Sequence, residues 1–141
     1  MKKAVFRIID ANLNRSREGL RVCEEITRFA LNSEALTKEL KSIRHSISNI
    51  AKPYLTKSGN IIGSRNSTED VGRVSRKPSE LKRVDSSDIF GANIERVKES
   101  LRVLEEFFKL IDKKCSVRFS RLRFKVYNIE QRSFKRLRRV K

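Results

Sequence analysis

The sequence contains no tryptophan, one histidine and two cysteines among its 141 residues. Because Cys23 and Cys115 lie far apart in sequence and on apolar helix faces, we expect buried thiols rather than a disulfide or a zinc site. No apolar run approaches the length of about 18 residues that predicts a membrane-spanning helix. The N-terminal stretch MKKAVFRIID has no long apolar core and no small-residue cleavage site. We therefore expect no signal peptide and a cytoplasmic location.

Acidic residues are scarce relative to basic ones, with 17 aspartates and glutamates against 34 lysines and arginines, a net charge of +17. Such an excess indicates an anionic partner: nucleic acid, an acidic membrane surface or phosphorylated small molecules. Part of it lies in RSFKRLRRVK, residues 132–141, which we interpret as a basic C-terminal extension of a single helical domain at residues 1–131. Aromatic residues make up only 7%, few for a nucleic-acid stacking platform.

An internal repeat organises the residues that are present. Residues 8–28 align without gaps with residues 89–109, at an offset of 81, and a weaker similarity relates residues 40–50 to residues 119–129. Shared helix periodicity explains matched apolar positions, but not a matched asparagine, two matched arginines and three matched glutamates. The ten identical pairs of the first alignment are Ile8/Ile89, Ala11/Ala92, Asn12/Asn93, Arg15/Arg96, Glu18/Glu99, Leu20/Leu101, Arg21/Arg102, Val22/Val103, Glu24/Glu105 and Glu25/Glu106.

The repeat predicts an all-α fold, a four-helix bundle made of two helical hairpins related by a pseudo-twofold axis. Apolar periodicity predicts helices at about residues 9–31, 34–52, 88–112 and 115–138. Pro53 is expected to close the second helix. A long central loop, residues 55–87, joins the hairpins, and loops of this length are usually functional or disordered.

Asn12 and Arg15 lie on or beside the apolar face of the first helix, where apolar residues are expected. In a single helix, Asn12 could serve as an N-cap and Arg15 could extend from the edge of the apolar stripe. The repeat favours another interpretation, because Asn93 and Arg96 occupy the same positions on the third helix. Buried amide and guanidinium groups need partners, so we predict two matching polar recesses, in which a guanidinium would bind carboxylate or phosphate.

Further polar residues are candidates around these recesses. Arg44 and Arg123 are a matched pair at the edges of apolar stripes and could complete the recesses, while the neighbouring His45 suits a half-buried packing role. Glu18 and Glu99 lie at the border of the polar face, and could form surface ion pairs, orient arginines or bind a nucleotide-associated magnesium ion. Six further charged residues are expected to face solvent: Arg21, Arg102, Glu24, Glu25, Glu105 and Glu106.

The loop segment SRNSTEDVGR, residues 64–73, is polar and carries Arg65, Asp70 and Gly72. Alone it is a surface turn, but against the mouth of the bundle it would offer a cation for phosphate and an acid for Mg²⁺. The sequence contains neither GxxxxGK[ST] nor GxGxxG, so a P-loop or Rossmann site is not supported.

The stretches DANLNRSREGLRVCEEITRF, LKSIRHSI, DVG and ANIERVKESLRVLEEF, in this order, resemble a small family of hydroxymethylpyrimidine-phosphate kinases of thiamine biosynthesis. Members are often fused to the N-terminus of thiamine-phosphate synthase and carry that enzyme's name. The resemblance covers about residues 5–130, and no synthase domain follows in this sequence, so a stand-alone member is expected. Many members carry an acid after the loop arginine, where this chain has Asn66.

The resemblance implies a phosphotransferase that uses ATP and Mg²⁺ to convert 4-amino-2-methyl-5-hydroxymethylpyrimidine phosphate to its diphosphate. Such a transfer depends on positioning and charge neutralisation, and an ionised phosphate acceptor needs no strong general base. On this hypothesis the catalytic residues are Arg15, Arg96, Arg44 and Arg65, the substrate- and nucleotide-binding residues are Asn12, Asn93, Arg123, His45 and Gly72, and the metal-binding residues are Asp70, Glu18 and Glu99.

Two alternative functions are kept beside the kinase. A basic helical nucleic-acid-binding protein would explain the charge and predicts an affinity that falls steeply with salt. The polar residues on inward faces argue against it. A non-catalytic partner of thiamine-phosphate synthase predicts binding to that enzyme without phosphoryl transfer. No membrane partner is expected, and the oligomeric state is left open, a homo-oligomer included.

Overall fold

The structure, a computed structural model, describes residues 2–56, 60–73 and 78–140. Over these residues the secondary structure is helical and contains no strand, which confirms the all-α prediction. In chain order the α-helices are α1 Lys2–Glu25, α2 Glu34–Thr56, the single turn α3 Asn60–Gly63, α4 Ser86–Phe108 and α5 Lys113–Val140. A π-helical turn, Ile26–Ala30, continues α1, and a 3₁₀ turn, Pro78–Leu81, precedes α4.

The four long helices close into a bundle. Helix α1 packs against α2 and α4, and α5 packs against α4 and α2, so each predicted hairpin is a pair of neighbours. Gly19 marks a close approach of α1 to α4, since a Cβ atom there would lie 2.8 Å from Val97 Cγ2 and 3.0 Å from the Asn93 carbonyl oxygen. Only glycine allows this separation of the two backbones.

The apolar stripes meet in one core, as the 3.6-residue period predicts. Leu13, Leu20, Ile94 and Leu101 are fully buried at repeat-related positions of α1 and α4. Both cysteines are buried and free, which confirms the prediction of buried thiols. No helix in the described ranges is long and apolar enough to cross a membrane.

The helix ends differ from the predicted ones. Helix α1 begins at Lys2 because Val5 and Phe6 extend its buried face, so Asn12 lies in the middle of the helix and is not an N-cap. Pro53 lies inside α2 and does not close it. The next two residues, Tyr54 and Leu55, pack against the core and favour another helical turn.

The basic extension continues α5 to Val140 without a break. Ser133 and Leu137 are buried on its inward face, and Phe134 packs against the core. Arg136 Nη2 donates a hydrogen bond to the Leu31 carbonyl oxygen at 2.9 Å. Much of the extension is therefore an integral part of the bundle, because its apolar residues follow the period of the helix.

Candidate functional site

A cavity of about 750 Å³ opens along the N-terminal half of α1, where the central connection lies against this helix. We call it the first-half recess. Val103 of α4 contributes to its lining, together with the small side chains Ala4 and Ala11. Its volume lies within the range of small-molecule sites. Its charged and polar lining includes Arg7, Asp10, Asn12, Arg15, Arg65 and Asp70.

An ion pair between Asp10 and Arg65 holds the central connection against α1. Arg65 donates from Nε to Asp10 Oδ2 at 2.8 Å and from Nη2 to Asp10 Oδ1 at 2.7 Å. This two-bond geometry fixes the guanidinium plane. The hydrogen bond to Asp10 raises the pKa of Arg65, so the guanidinium stays charged. The fully buried Ile61 anchors the same connection in the core.

Asp10 is a site residue that sequence reasoning missed. Its carboxylate is almost completely buried, although the sequence pattern predicts no binding or catalytic role for it. A signal was present in the repeat, where Asp10 aligns with Gly91 while the neighbouring alanine and asparagine are conserved between the two copies. A charged residue in only one copy indicates a role that the other copy lacks.

Three guanidinium groups lie around the first-half recess. Arg7 and Arg15 are exposed and two helical turns apart on α1, and neither forms a hydrogen bond or ion pair with another described residue. Arg65 faces them from the connection. Arginines arranged in this way suit a ligand that carries phosphate groups.

Asn12 lines the recess and is 4% exposed. Its Nδ2 donates a hydrogen bond to the Ile8 carbonyl oxygen at 2.8 Å. The donor group of this buried amide is therefore satisfied by its own helix and not by a ligand. Its Oδ1 has no hydrogen bond to any residue that the structure describes, and is available as an acceptor. Asn93 repeats this bond on α4, with Nδ2 donating to the Ile89 carbonyl oxygen at 2.8 Å.

Asp70 supplies a carboxylate on the loop side of the recess. It is exposed, and its Oδ1 accepts a hydrogen bond from the Gly72 amide at 2.8 Å. Gly72 is exposed and does not line the recess, but it orients Asp70. Asn66, for which no role was assigned, lines the recess and donates to Glu69 Oε2 at 2.8 Å.

Magnesium ions in phosphoryl-transfer sites are often held by one or two carboxylates together with substrate phosphates. Asp70 fits this role, because both oxygens of the nearby Asp10 are taken by Arg65. Across the described ranges no group of three or more histidine, cysteine, aspartate and glutamate residues is placed to hold a metal ion. Glu18 and Glu99 are exposed and lie outside the first-half recess.

Arg44 and Arg123 do not complete a recess, and that prediction is wrong. Arg44 donates from Nε and Nη2 to Glu24 Oε2 and Oε1, at 2.6 and 3.0 Å. Arg123 donates from Nε and Nη2 to Glu105 Oε2, at 3.2 and 3.0 Å. Each arginine thus ties the two helices of one hairpin together. A residue at the edge of an apolar stripe can face a neighbouring helix as easily as a ligand.

Glu24 and Glu105 were expected to face solvent, and this is also wrong. They are 3% and 9% exposed, because each points toward the second helix of its hairpin, where an arginine compensates the buried charge. Arg21 and Arg102 are exposed as predicted and approach the same glutamates at 3.8 and 3.2 Å.

The remaining candidates lie away from the first-half recess. Arg96 is exposed, and Asn93 is half-buried on α4. His45 is also exposed, so the half-buried packing role predicted for it is wrong. None of the three lines this cavity. The structure therefore brings together Asn12, Arg15, Arg65 and Asp70 from the predicted set, and their roles stay predictions.

Comparison with known proteins gives a family match over most of the chain. The profile of the ThiD2 family matches residues 7–132. The thiamine-phosphate synthase of Nostoc punctiforme is 37% identical over 130 residues, which cover 92% of this chain and 35% of that protein. That of Synechocystis is 40% identical over 127 residues, 90% of this chain and 35% of that protein.

A third relative gives the same result. The thiamine-phosphate synthase of Rhodopirellula baltica is 38% identical over 125 residues, which cover 89% of this chain and 33% of that protein. The chain thus spans about a third of the length of the curated relatives it matches. No solved structure matches it.

Proposed function

The chain belongs to the ThiD2 family, and from this premise we propose that it acts in thiamine biosynthesis as an ATP-dependent kinase of 4-amino-2-methyl-5-hydroxymethylpyrimidine phosphate. The first-half recess carries the proposal, because Arg7, Arg15 and Arg65 surround a cavity of about 750 Å³. The names of the relatives support the pathway, since each is a thiamine-phosphate synthase. The region that resembles this chain makes up about a third of each synthase.

The proposed reaction is a phosphoryl transfer between two phosphates. An oxygen of the substrate phosphate bonds to the terminal phosphorus of ATP, and the bond from that phosphorus to the bridging oxygen breaks. The products are the pyrimidine diphosphate and ADP. The acceptor oxygen is already ionised at neutral pH, so the reaction requires charge neutralisation and alignment more than a base.

The lining residues suit these requirements. Arg7 and Arg15 would bind phosphate groups along α1, and Arg65 would do so from the connection in the orientation fixed by Asp10. The Oδ1 atom of Asn12 would accept a hydrogen bond from the 4-amino group of the pyrimidine. Asp70 would hold Mg²⁺, which when bound neutralises charge on the ATP phosphates.

Both substrates would occupy the same recess in this mechanism. In-line transfer requires the reacting atoms to approach within about 3–3.5 Å. Asn93 and Arg96 were expected to form a matching recess of their own, but they do not line this cavity. We therefore assign both phosphate-bearing substrates to the recess along α1.

A second candidate function is a non-catalytic partner of thiamine-phosphate synthase. The curated relatives of that name favour it, because a region similar to this chain makes up about a third of each. This candidate predicts complex formation with a synthase but no consumption of ATP. A cytoplasmic location stays a prediction under either function.

The test is product formation by the full chain. The protein is incubated with ATP, Mg²⁺ and hydroxymethylpyrimidine phosphate, and the diphosphate is detected by mass spectrometry. We expect turnover that chelation of Mg²⁺ abolishes. Arg15→Ala should remove most of it, whereas the matched control Arg21→Ala, an exposed arginine of α1 outside the recess, should retain it. Absence of turnover with both substrates at millimolar concentration, or equal losses in the two variants, would contradict the proposal.

A further inference from the structure

A second cavity, of about 570 Å³, lies where the N-terminal part of α4 meets the C-terminal end of α5. We call it the second-half recess. It is built on the same repeat positions as the first-half recess, because its residues Asp88, Gly91 and Ala92 align with Arg7, Asp10 and Ala11. The repeat thus produces two recesses on equivalent helix surfaces but with different walls.

An aromatic ring forms one wall of the second-half recess. Gly91 has no side chain, and a Cβ atom there would lie 3.4 Å from Phe134 Cζ, so the ring lies directly over the glycine. Phe134 is half-buried and packs edge-on against Phe90, with ring centroids 5.5 Å apart. Together with Leu137 it gives the cavity an apolar side on which a planar ring can pack.

Basic residues dominate the charged lining of this recess. Lys82, Arg83 and Arg138 contribute to it, against a single carboxylate, that of Asp88. Asp88 Oδ2 already accepts the Val84 amide hydrogen bond at 3.1 Å. The surplus of positive charge suits a phosphate group.

The two recesses lie at different levels of α4 and share no lining residue. Gly91 lines the second and Val103 the first, both on α4. These two residues are twelve positions apart, which is about 18 Å along the axis at the rise of an α-helix. The second-half recess is therefore a cavity distinct from the first.

We infer that the second-half recess is a separate binding site for a phosphorylated aromatic compound of the nucleotide type. The ring packs on Phe134 and the phosphate lies among Lys82, Arg83 and Arg138. This site is inferred from its own lining residues and their charges, and does not depend on the proposed kinase activity.

The first experiment titrates the full chain with AMP by calorimetry. The background is Arg15→Ala, which weakens phosphate binding in the first-half recess. Adding Arg138→Ala should weaken AMP binding at least about tenfold, the effect of losing a charged contact to phosphate. The matched control Arg139→Ala changes an exposed neighbour outside the recess and should alter affinity less than about twofold. Ribose 5-phosphate, which lacks the aromatic base, and adenosine, which lacks the phosphate, should each bind more weakly than AMP.

A second measurement locates the ligand without any substitution in α5. In the ¹⁵N-labelled chain, AMP should shift the amide signals of Gly91 and Ala92. The inference is overturned if AMP does not bind at about 10 mM, if Arg138→Ala and Arg139→Ala weaken binding equally, or if only Asp10 and Ala11 shift. Because these are binding measurements, they separate this inference from the turnover test of the kinase.

Discussion

The α1–α2 hairpin and the α4–α5 hairpin begin with matching sequences but build different surfaces. In the first, Asp10 binds Arg65 and draws the central connection against α1. At the equivalent position of the second, Gly91 leaves space that the ring of Phe134 covers. One hairpin thereby obtains a polar recess walled by a loop, and the other obtains a recess with an aromatic wall.

The hairpins agree, by contrast, in the contacts that hold them together. Glu24 pairs with Arg44 in the first, and Glu105 pairs with Arg123 in the second. These shared ion pairs therefore maintain the bundle. The difference between Asp10 and Gly91 gives each recess its own wall, and this comparison leads to the following predictions.

The largest effect on activity is expected from Arg15, and its repeat partner Arg96 serves as the comparison. Arg15→Ala should lower kcat/KM about 100- to 1000-fold, because it removes a cation from the site of developing charge. Arg96→Ala removes an exposed arginine outside the first-half recess and should change kcat/KM less than about threefold. Steady-state kinetics of both variants provide the measurement. Similar losses would show that both copies of the repeat serve the reaction.

A smaller loss of activity is expected when the Asp10–Arg65 pair is weakened. Asp10→Asn keeps the shape but loses the charge that orients the guanidinium, so kcat/KM should fall about 10- to 100-fold. Gly91→Ala is the control at the equivalent position, since its Cβ meets Phe134 at an ordinary contact distance of 3.4 Å. If Gly91→Ala lowers activity as much as Asp10→Asn, the assignment of the reaction to the first-half recess is wrong.

The shared ion pairs should affect stability. Glu24→Gln leaves Arg44 without its carboxylate partner and should lower the free energy of unfolding by about 2–3 kcal/mol. Glu105→Gln should cost about half as much, because a single oxygen of Glu105 accepts both bonds from Arg123. Urea denaturation measures both, with the exposed Glu25→Gln as the control, expected to change stability by less than about 0.5 kcal/mol. A larger cost for Glu105→Gln would reverse the expected order of the hairpins.

The smallest effect on stability is expected from Tyr54→Phe, at the C-terminal end of α2. The Tyr54 hydroxyl donates to Asp112 Oδ2 at 2.8 Å and holds the pKa of that carboxyl below its ordinary value. Tyr54→Phe should raise this pKa, which carboxyl-carbon NMR titration measures. A lowered carboxyl pKa stabilises the fold above the ordinary value, and this contribution disappears as pH falls through the folded-state pKa. The variant should therefore be less stable near neutral pH, with a difference that shrinks in acid.

The corresponding contact at the other end of the bundle provides the comparison. Arg136 donates to the Leu31 carbonyl oxygen, which does not titrate. Arg136→Ala should lower stability by a similar amount at neutral and acid pH. A loss that disappears in acid for Arg136→Ala, or that persists unchanged in acid for Tyr54→Phe, would contradict this explanation.

Part of the candidate site could be predicted from the chain alone. Asn12 and Arg15 were found because a polar residue on an apolar face, present twice, is improbable by chance. Arg65 and Asp70 were found by the composition of their loop, and both line the first-half recess. Arg44 and Arg123 were misassigned because periodicity gives a residue's angle on its own helix, but not the neighbour at that angle.

Helical periodicity and the repeat were sufficient to predict an all-α bundle of two hairpins, with buried thiols and a matched set of polar residues. They could not reveal that Asp10 would bind Arg65, 55 residues along the chain, or that Phe134 would cover Gly91. Periodicity is a local property, since it follows from the geometry of one helix. Which surface meets which segment depends on how all the helices and the connection pack at once, and that packing made two different recesses from one repeat.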